Sequence, residues 1–232
     1  MSTYNDHIAI VTGASRGLGL ATSRALASRG WTVIMNARDP DPLQAAAEQV
    51  QGARAVTGDV ADPELRQQLI QAATVAGGLD LLMNNASFLG PSPQPRIDNY
   101  PLDTLRCVYE VNVLAPFALT QAALPMLRQR RGALVNVTSD AGTEPYEGWA
   151  GYGSSKAALD QFSNILAAEE PDIRVYRFDP GDMNTRMHQE AFPGEDISDR
   201  PAPERSVPSL MDLIERQAAS GFYRASDAVF AG

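Results

Sequence analysis

The chain is poor in the residues that build disulfides and metal sites. Its single cysteine, Cys107, cannot form an internal disulfide, which is typical of a reducing compartment and predicts a cytoplasmic location. The two histidines, His7 and His188, lie far apart in the sequence. They form no recognisable metal-ligand pattern with the cysteine, so we expect no metal.

Long apolar runs and excess positive charge are also missing. No run of about eighteen apolar residues stands out as a membrane span, and residues 1–7 lack the charged-then-apolar pattern of a signal peptide. A formal net charge of -9 argues against a nucleic-acid surface. With 232 residues, the chain is expected to form one domain, 1–232, with neither nucleic-acid nor membrane partners.

Lysine is nearly absent as well. Of 19 basic residues only Lys156 is a lysine, and it stands four positions after a tyrosine in Tyr152-Gly153-Ser154-Ser155-Lys156. On a helix these two side chains share a face. A cation beside a phenol favours the phenolate and lowers the tyrosine pKa from about 10, which suits general acid–base chemistry. A solvated surface pair is the alternative interpretation.

Short apolar segments alternate with longer helical patterns along most of the chain. This pattern predicts an α/β fold, a single-domain Rossmann-type doubly wound parallel sheet of about seven strands with helices on both faces. We expect strands at 7–12, 32–36, 54–57, 79–83, 133–137, 173–178 and 222–224. A long helical stretch is expected over 102–130, with Pro116 and Pro125 as kink or restart points. The segment 182–208 contains four prolines and is predicted to be a substrate loop.

A glycine-rich segment follows the first predicted strand: Thr12-Gly13-Ala14-Ser15-Arg16-Gly17-Leu18-Gly19. Glycines at a strand-to-helix junction let backbone N–H groups and a helix N-terminus approach a pyrophosphate, which predicts a nucleotide site. The alternative is an ordinary glycine turn. After the second strand the chain reads Asn36-Ala37-Arg38, where an NAD site usually has an acidic residue. Arg38 and Arg16 suit a 2′-phosphate and favour NADP(H) over NAD(H), although Asp39 could serve as the acidic residue.

Together these motifs resemble the short-chain dehydrogenase/reductase family, in its simple single-domain branch. The resemblance rests on the glycine turn, Asn84-Asn85-Ala86, Ser139 thirteen residues before Tyr152, Lys156, and Pro180-Gly181 with Thr185. It implies an NADP(H)-dependent oxidoreductase of the carbonyl reductase or alcohol dehydrogenase type, which transfers hydride between the nicotinamide and a small carbonyl or secondary alcohol. A non-catalytic NADP(H)-binding regulatory protein, and an epimerase or dehydratase, are the alternatives.

The resemblance implies four catalytic residues. Tyr152 would exchange the proton with the substrate oxygen, Lys156 would hold down its pKa and bind the nicotinamide ribose, and Ser139 would polarise the carbonyl. Asn112 would shape the long helix and hold a water leading to Lys156. Ser139 could instead be a turn residue, and Asn112 a buried asparagine that bonds the backbone at a helix kink.

The resemblance also implies the cofactor-binding residues. The adenine is expected near Asp59 and Val60, and the carboxamide near Thr185. The full predicted set is Gly13, Ser15, Arg16, Gly17, Leu18, Gly19, Arg38, Asp59, Val60, Asn85, Ala86, Tyr152, Lys156, Pro180, Gly181 and Thr185. Asp182 is expected to cap a short helix.

The chain departs from the family pattern in two places, and its pocket is only partly defined. Ser87 stands where the family usually has glycine, and the short C-terminus makes a homodimer more expected than a homotetramer. The helical faces proposed for that dimer contain Leu105, Val108, Leu119, Ala157, Phe162 and Leu166. The expected pocket residues are Phe88, Ala141, Tyr146, Trp149, Met183 and Met187, which favour an apolar or ring-bearing substrate. Glu144 and Glu147, if they face the pocket, would disfavour anions.

Overall fold

A parallel sheet runs through the chain in the computed structural model, which describes residues 7–227. Seven strands in this range pair in the order β3-β2-β1-β4-β5-β6-β7, and every neighbouring pair is parallel. The strands are β1 (Ile8–Val11), β2 (Thr32–Ala37), β3 (Arg54–Thr57), β4 (Leu81–Asn84), β5 (Ala133–Val137), β6 (Arg174–Asp179) and β7 (Gly221–Arg224).

Helices cover both faces of this sheet, because the strand residues point alternately to either side and most are apolar. The helices are α1 (Gly17–Ala27), α2 (Pro40–Ala47), α3 (Pro63–Ala76), α4 (Leu102–Tyr109), α5 (Ala115–Arg130), α6 (Ala150–Glu169), α7 (Arg186–Ala191) and α8 (Val207–Glu215). Helices α1, α2 and α8 contribute to the core on one face, and α3, α5 and α6 to the core on the other. The predicted doubly wound α/β fold is confirmed.

The strand order reverses direction between β1 and β4, which are neighbours although β2 and β3 separate them in the chain. In open parallel sheets, the carboxyl ends of the strands at this point form the usual ligand crevice. The predicted glycine turn follows β1, and the Asn84-Asn85-Ala86 motif ends β4. The topology therefore brings these two motifs to the same place.

The long helical stretch is interrupted by a π-helical turn, Glu110–Leu114, which lies between α4 and α5. Pro116 lies in the first turn of α5, as the predicted restart point requires, whereas Pro125 lies inside α5. The irregularity is thus centred on Asn112, which belongs to the π turn and is buried. π turns of this kind are frequent at functional sites.

The same stretch, Leu102–Arg130, is long and apolar enough to cross a membrane by length and composition alone, with 29 residues and a window of mean hydropathy 1.2. The sequence expectation concerned an unbroken apolar run, and polar residues such as Glu110, Asn112 and Gln121 interrupt this stretch. The stretch buries Val108, Leu119 and Leu127 within the chain's own core, as the core helix of a globular fold does.

Several predicted boundaries differ from the structure. From Asp41 as a cap and Pro42 in the first turn, the sequence predicts a helix over 42–50, whereas α2 begins at Pro40, with Asp39 before its first turn, and ends at Ala47. The loop 182–208 contains α7 and the start of α8. Thr185, and not Asp182, caps α7, because its side chain accepts a hydrogen bond from the His188 N–H.

Candidate active site

Most of the predicted site residues follow the carboxyl ends of the strands. The glycine turn follows β1, Arg38 follows β2, Asp59 follows β3, Asn85 follows β4 and Ser139 follows β5. Pro180 and Gly181 follow β6 in the same way. Because all the strands are parallel, these residues lie along one edge of the sheet.

Tight packing explains the glycines after β1. Gly13 has a φ of 64°, and a Cβ there would lie 2.9 Å from the Ala86 Cα. A Cβ on Gly19 would lie 2.5 Å from the Gly13 carbonyl oxygen. Asn85 holds the turn from the other side, since its Nδ2 donates to the carbonyls of Thr12 at 2.8 Å and Gly13 at 3.1 Å. Asn85 thus shapes the predicted cofactor turn through direct hydrogen bonds.

The start of α1 fits a pyrophosphate. Among the described residues, no side chain caps this helix, and its first turn contains no acidic residue. The first N–H groups of a helix have no partner within the helix and carry partial positive charge, so an anion is stabilised there. Gly17 adopts a φ of 57° at this position, which exposes the backbone as such a site requires.

Positive charge collects beside the end of β2. The Arg16 guanidinium lies 3.8 Å from the Asp39 carboxylate, and Arg38 is exposed next to it. Asp39 is therefore paired with a cation of the glycine turn. An exposed pair of this kind contributes little to stability, so Arg16 remains available to an added anion.

The remaining predicted cofactor residues occupy three loops. Asp59 accepts a hydrogen bond from the Ala61 N–H at 2.9 Å, and Val60 is buried beside it. Gly181 donates its N–H to the Asp179 carboxylate at 2.9 Å. Thr185 lies over the glycine turn, because a Cβ on Gly17 would be 3.7 Å from its methyl group. The loop after β6 and the start of α1 are thus close together.

The turn after β5 packs directly against α6. A Cβ on Gly153 would lie 2.5 Å from the Ala141 carbonyl oxygen, so Ser139-Asp140-Ala141 approaches the helix that carries Tyr152. The Ser139 hydroxyl donates to the Asp140 carboxylate at 3.0 Å and accepts from the Ala141 N–H at 3.2 Å. Ser139 therefore has the turn role that was its alternative interpretation.

Tyr152 and Lys156 are both buried on α6, with 8% and 2% of their surfaces exposed, so they are not a solvated surface pair. The Lys156 Nζ lies 5.4 Å from the centre of the Tyr152 ring and donates to the Val137 carbonyl at 2.8 Å. Burial lowers the pKa of Lys156 to about 8, and the neighbouring Asp160 opposes this shift. The two side chains share one face, as the spacing predicted.

The predicted direction of the Tyr152 pKa was wrong. Burial raises the pKa of the phenol, a hydrogen bond with Ser87 opposes the rise, and the charges of Asp179 and Asp140 add to it. The Lys156 ammonium does not reverse this rise, and its Nζ donates to the Val137 carbonyl. Tyr152 is therefore a neutral phenol near pH 7 in this structure.

Asn112 uses its whole amide group on protein partners. Its Nδ2 donates to the Phe88 carbonyl and to the Ser155 hydroxyl, each at 2.9 Å. Its Oδ1 accepts from the Phe88 N–H at 2.8 Å and from the Ser87 hydroxyl at 3.1 Å. The alternative interpretation, a buried asparagine that bonds the backbone at a helix irregularity, describes these contacts.

Two residues of this network were missed by the motif comparison. The Ser87 hydroxyl donates to the Asn112 Oδ1 at 3.1 Å, and the fully buried Ser155 bridges Asn112 to the Tyr152 carbonyl. A sequence signal existed for each. Ser155 lies three residues after Tyr152 and so shares its helical face, and Ser87 had been identified only as a departure from the family pattern.

Aromatic side chains surround the exposed side of Tyr152. Trp149 packs edge-on against Tyr152 at 5.8 Å between ring centres and against Phe192 at the same distance. Leu89, Ala141 and Met187 complete this small apolar cluster. Of the other expected pocket residues, Tyr146 is exposed and bonds Asp140, while Met183 packs against the core formed with α1 and α8. Glu147 pairs with Arg96 at the surface.

Comparison with known proteins identifies the family. The family model for short chain dehydrogenases matches residues 7–196. The chain belongs to the short-chain dehydrogenase family. Two curated relatives of this short-chain dehydrogenase are an uncharacterized oxidoreductase of Mycobacterium tuberculosis, 31% identical over 98% of this chain and 88% of the relative, and 3beta-hydroxysteroid dehydrogenase 1 of Eggerthella lenta, 33% identical over 94% and 86%.

A solved structure gives the same result. A short chain dehydrogenase from Escherichia coli CFT073, complexed with NADPH, is 31% identical to the present short-chain dehydrogenase, with a TM-score of 0.89. The match covers 95% of this chain and 97% of that one. The chain is thus an oxidoreductase of a family whose fold binds a nicotinamide cofactor, and it acts on a small molecule.

The buried ammonium in this short-chain dehydrogenase opposes folding near neutral pH. The pKa of Lys156 falls from 10.5 to about 8 on folding, so the unfolded chain binds the proton more tightly. The opposing free energy is on the order of 3 kcal/mol below pH 8 and disappears as the pH rises towards 10.5.

We therefore expect Lys156→Met to raise the free energy of unfolding of the cofactor-free protein by about 1–3 kcal/mol at pH 7, after loss of the bond to Val137. The gain should shrink between pH 8 and 10.5. Urea unfolding followed by circular dichroism at several pH values measures it. Arg54→Met, at an exposed position, is the control and should show no such trend. A Lys156→Met protein that is less stable than the parent at pH 7 would contradict the expectation that the buried ammonium opposes folding.

Proposed function

We propose that the chain is an NADP(H)-dependent oxidoreductase that interconverts a small carbonyl and its secondary alcohol, with Tyr152 as the general acid or base. The observation that carries this proposal is the burial of Tyr152 and Lys156 on one face of α6, against the turn that contains Ser139. Burying two ionisable groups side by side costs free energy, and such pairs are typical of functional sites.

The raised pKa of Tyr152 favours the reductive direction. A neutral phenol is a proton donor, and near pH 7 nearly every molecule holds that proton. The nicotinamide, when bound, supplies or accepts the hydride. Tyr152 gives its proton to the carbonyl oxygen of the substrate, and Ser139 holds that oxygen once its hydroxyl turns away from Asp140. Lys156 supplies positive charge as the phenolate forms, while Asn112 positions α6 through Ser155.

The residues proposed to bind the cofactor are those predicted from the sequence, which begin with Gly13 in the glycine turn and end with Thr185. The uncapped start of α1 supports a pyrophosphate site. The pairing of Asp39 with Arg16, together with the exposed Arg38, supports a 2′-phosphate and hence NADP(H) over NAD(H). The NADPH complex of the Escherichia coli relative supports the same choice.

The surroundings of Tyr152 favour a ring-bearing substrate. Trp149, Phe192 and Met187 form an apolar wall beside the phenol, and flat apolar surfaces of this kind pack well against rings. The relative named as a 3beta-hydroxysteroid dehydrogenase supports this substrate class. Glu147 is paired with Arg96, so it adds little to discrimination against anions.

We also propose that 1–232 works as one domain in the cytoplasm, with 182–208 as the substrate loop. Strands from Ile8 to Arg224 belong to one sheet, which supports a single domain. Within the loop, α7 places Met187 in the apolar cluster around Tyr152, which supports contact with substrate.

A symmetric homodimer is proposed, through a different set of residues from that expected. Val108, Leu119 and Leu166 are buried in the core of the chain, so the expected faces were partly wrong. Large apolar side chains are exposed at Phe117 on α5 and Ile165 on α6, and Leu114 is exposed in the π turn just before α5. A ring contact of 4.8 Å between Phe117 and Phe162 joins the two helices. Contiguous apolar surface favours an interface.

A non-catalytic NADP(H)-binding regulator is the remaining alternative. It is disfavoured because Asn112, Ser139, Tyr152 and Lys156 are all present and lie around one edge of the sheet. A panel of carbonyl compounds with NADPH separates the two functions. Binding of NADPH without reduction of any of them would favour the regulator.

Tyr152→Phe tests the proposed acid directly. Removing the phenolic proton should lower turnover of the best substrate in that panel by a factor on the order of 10²–10⁴. NADPH affinity, measured by fluorescence titration, should stay within about twofold, because the ring is retained. Tyr223→Phe is the control, because the Tyr223 hydroxyl bonds the Ala219 carbonyl and lies outside the predicted site. Unchanged turnover in Tyr152→Phe would exclude the phenol as the acid.

Arg38→Asp tests the cofactor preference. The new carboxylate should weaken NADPH binding by about tenfold or more, because it repels the 2′-phosphate, while NADH binding should hold or improve. Dissociation constants for both cofactors measure this. Arg54→Asp is the control. It makes the same charge change at the first residue of β3, away from the carboxyl ends of the strands, and should alter neither dissociation constant by more than about twofold. An equal loss for NADH would overturn the assignment of Arg38.

Phe117→Glu tests the proposed dimer. Light scattering of the parent protein should give twice the chain mass, and a charge within the exposed apolar face should produce monomers. Val75→Glu, at an apolar position on α3 that is 67% exposed, is the matched control and should leave the dimer intact. A monomeric parent protein would contradict the proposal.

A further inference from the structure

Asp140 is a charged residue beside the site to which the sequence patterns assign no role. It opens the short turn Asp140–Gly142 after β5 and is half-buried. Its Oδ1 lies 3.0 Å from the Ser139 Oγ, and its Oδ2 lies 2.8 Å from the Tyr146 hydroxyl. The two oxygens of one carboxylate are therefore bonded to two different hydroxyl groups, one in the predicted site and one at the surface.

The chemistry of the carboxylate fixes the direction of the bond with Ser139. A carboxylate can only accept, so the Ser139 hydroxyl donates its single proton to Asp140. The Ser139 oxygen also accepts from the Ala141 N–H at 3.2 Å. Because a serine oxygen has two lone pairs, one of them can still accept. Towards any third group, Ser139 in this structure is thus an acceptor and not a donor.

The bond with Tyr146 anchors the carboxylate. Tyr146 donates to Asp140, and this hydrogen bond raises the pKa of the Tyr146 phenol, so the phenol keeps its proton. The Tyr146 ring packs edge-on against Trp149 at 6.0 Å between ring centres, and the Trp149 N–H bonds the Tyr146 carbonyl at 3.2 Å. Through the oxygen that Ser139 does not use, Asp140 is therefore tied to the aromatic wall that packs against Tyr152.

Tyr152 and Ser139 have opposite hydrogen-bonding roles. Burial, and after it the charges of Asp179 and Asp140, raise the pKa of the Tyr152 phenol, so Tyr152 is a donor near pH 7. Ser139, whose proton is bonded to Asp140, is an acceptor. An alcohol oxygen can accept from the first and donate to the second, whereas a carbonyl oxygen can only accept. The two side chains together therefore complement an alcohol better than a carbonyl.

We propose that Asp140 is a positioning residue that holds the Ser139 hydroxyl as an acceptor, so that the site binds a secondary alcohol in preference to its ketone. The inference rests on the proposed function, in which the substrate oxygen contacts Ser139 and Tyr152. To hold a carbonyl, the Ser139 O–H must rotate and give up a charge-assisted bond, after which Asp140 keeps Tyr146 as its partner. The ketone therefore binds at a cost that the alcohol, which is the product of reduction, does not meet.

Binding of a matched ketone and alcohol tests the role of Asp140. Acetophenone is titrated into the enzyme saturated with NADP⁺, and 1-phenylethanol into the enzyme saturated with NADPH, so that neither complex can react. Isothermal titration calorimetry gives both dissociation constants. Asp140→Asn replaces the carboxylate with a weaker, neutral acceptor. We expect it to tighten acetophenone binding by about three- to tenfold relative to 1-phenylethanol.

Glu144→Gln is the matched control. It makes the same chemical change at an exposed position four residues further on, and Glu144 is not a hydrogen-bond partner of Ser139 in the described part of the chain. The ratio of the two dissociation constants should stay within about twofold of the parent ratio. Asp140→Asn in a Ser139→Ala background should also leave the ratio unchanged, because the effect of Asp140 passes through the serine hydroxyl.

An unchanged ratio in Asp140→Asn would overturn the proposal. An equal shift in Glu144→Gln would also overturn it, because charge alone would then explain the preference, and so would a shift that persists without the Ser139 hydroxyl. Absence of binding of either compound to the parent would overturn it too, since no substrate oxygen would then reach Ser139. The expected shift, without reduction of acetophenone or any other carbonyl by NADPH, would support the role of Asp140 while rejecting the proposed function.

Discussion

The hydroxyl of Thr12 joins the two halves of the site. It accepts the backbone N–H groups of Asn85 and Ala86, both at 3.0 Å, and lies 3.3 Å from the Met83 carbonyl, to which it donates. These bonds fasten the end of β1 to the end of β4, where the strand order reverses. The glycine turn follows β1 on one side of this junction. On the other side, the chain after β4 leads to Ser87, which bonds Asn112 close to the helix that carries Tyr152.

Buried polar side chains extend this junction across the sheet. Asn84 donates to Asn136 at 2.8 Å, and Asn136 donates to Ser163 on α6 at 2.7 Å. A buried polar side chain without a hydrogen bond would lower the stability of the fold. These hydrogen bonds therefore specify how β4, β5 and α6 align. The helix that carries Tyr152 and Lys156 is thereby aligned by directional contacts as well as by apolar packing. Precise alignment matters at a site where a proton and a hydride must reach adjacent atoms.

The sequence predicted the fold well because strand and helix periodicities are local properties. The buried run Ile8–Val11 is apolar throughout, and Ala133–Val137 is apolar except for Asn136, as is typical of strands covered on both faces. The four-residue spacing of Tyr152 and Lys156 predicted a shared face for the same local reason. Whether the catalytic and cofactor residues act as proposed remains a prediction.

Burial and long-range contacts could not be inferred in the same way. Spacing placed Lys156 beside Tyr152 but did not show that burial would govern both pKa values. Ser87 and Asn112 are 25 residues apart, so their bond depends on the completed fold. Leu119 and Phe117 are both apolar residues of one helix, and only packing against the sheet shows that the first is buried and the second exposed.

The π turn at Glu110–Leu114 also limits how the chain can change in length. Such a turn contains one residue more than an α-helical turn. The wider turn takes up that extra residue, so Leu119, Ala123 and Leu127 further along the helix keep their side towards the core. Deleting one residue there would close the turn to a regular helix and remove the irregularity that holds Asn112 against Phe88 and Ser155. An insertion or deletion within α5 has no such turn to absorb it and would rotate the residues after it by about 100° relative to the core. The core therefore restricts changes of length within α5, whereas the site restricts them within the π turn.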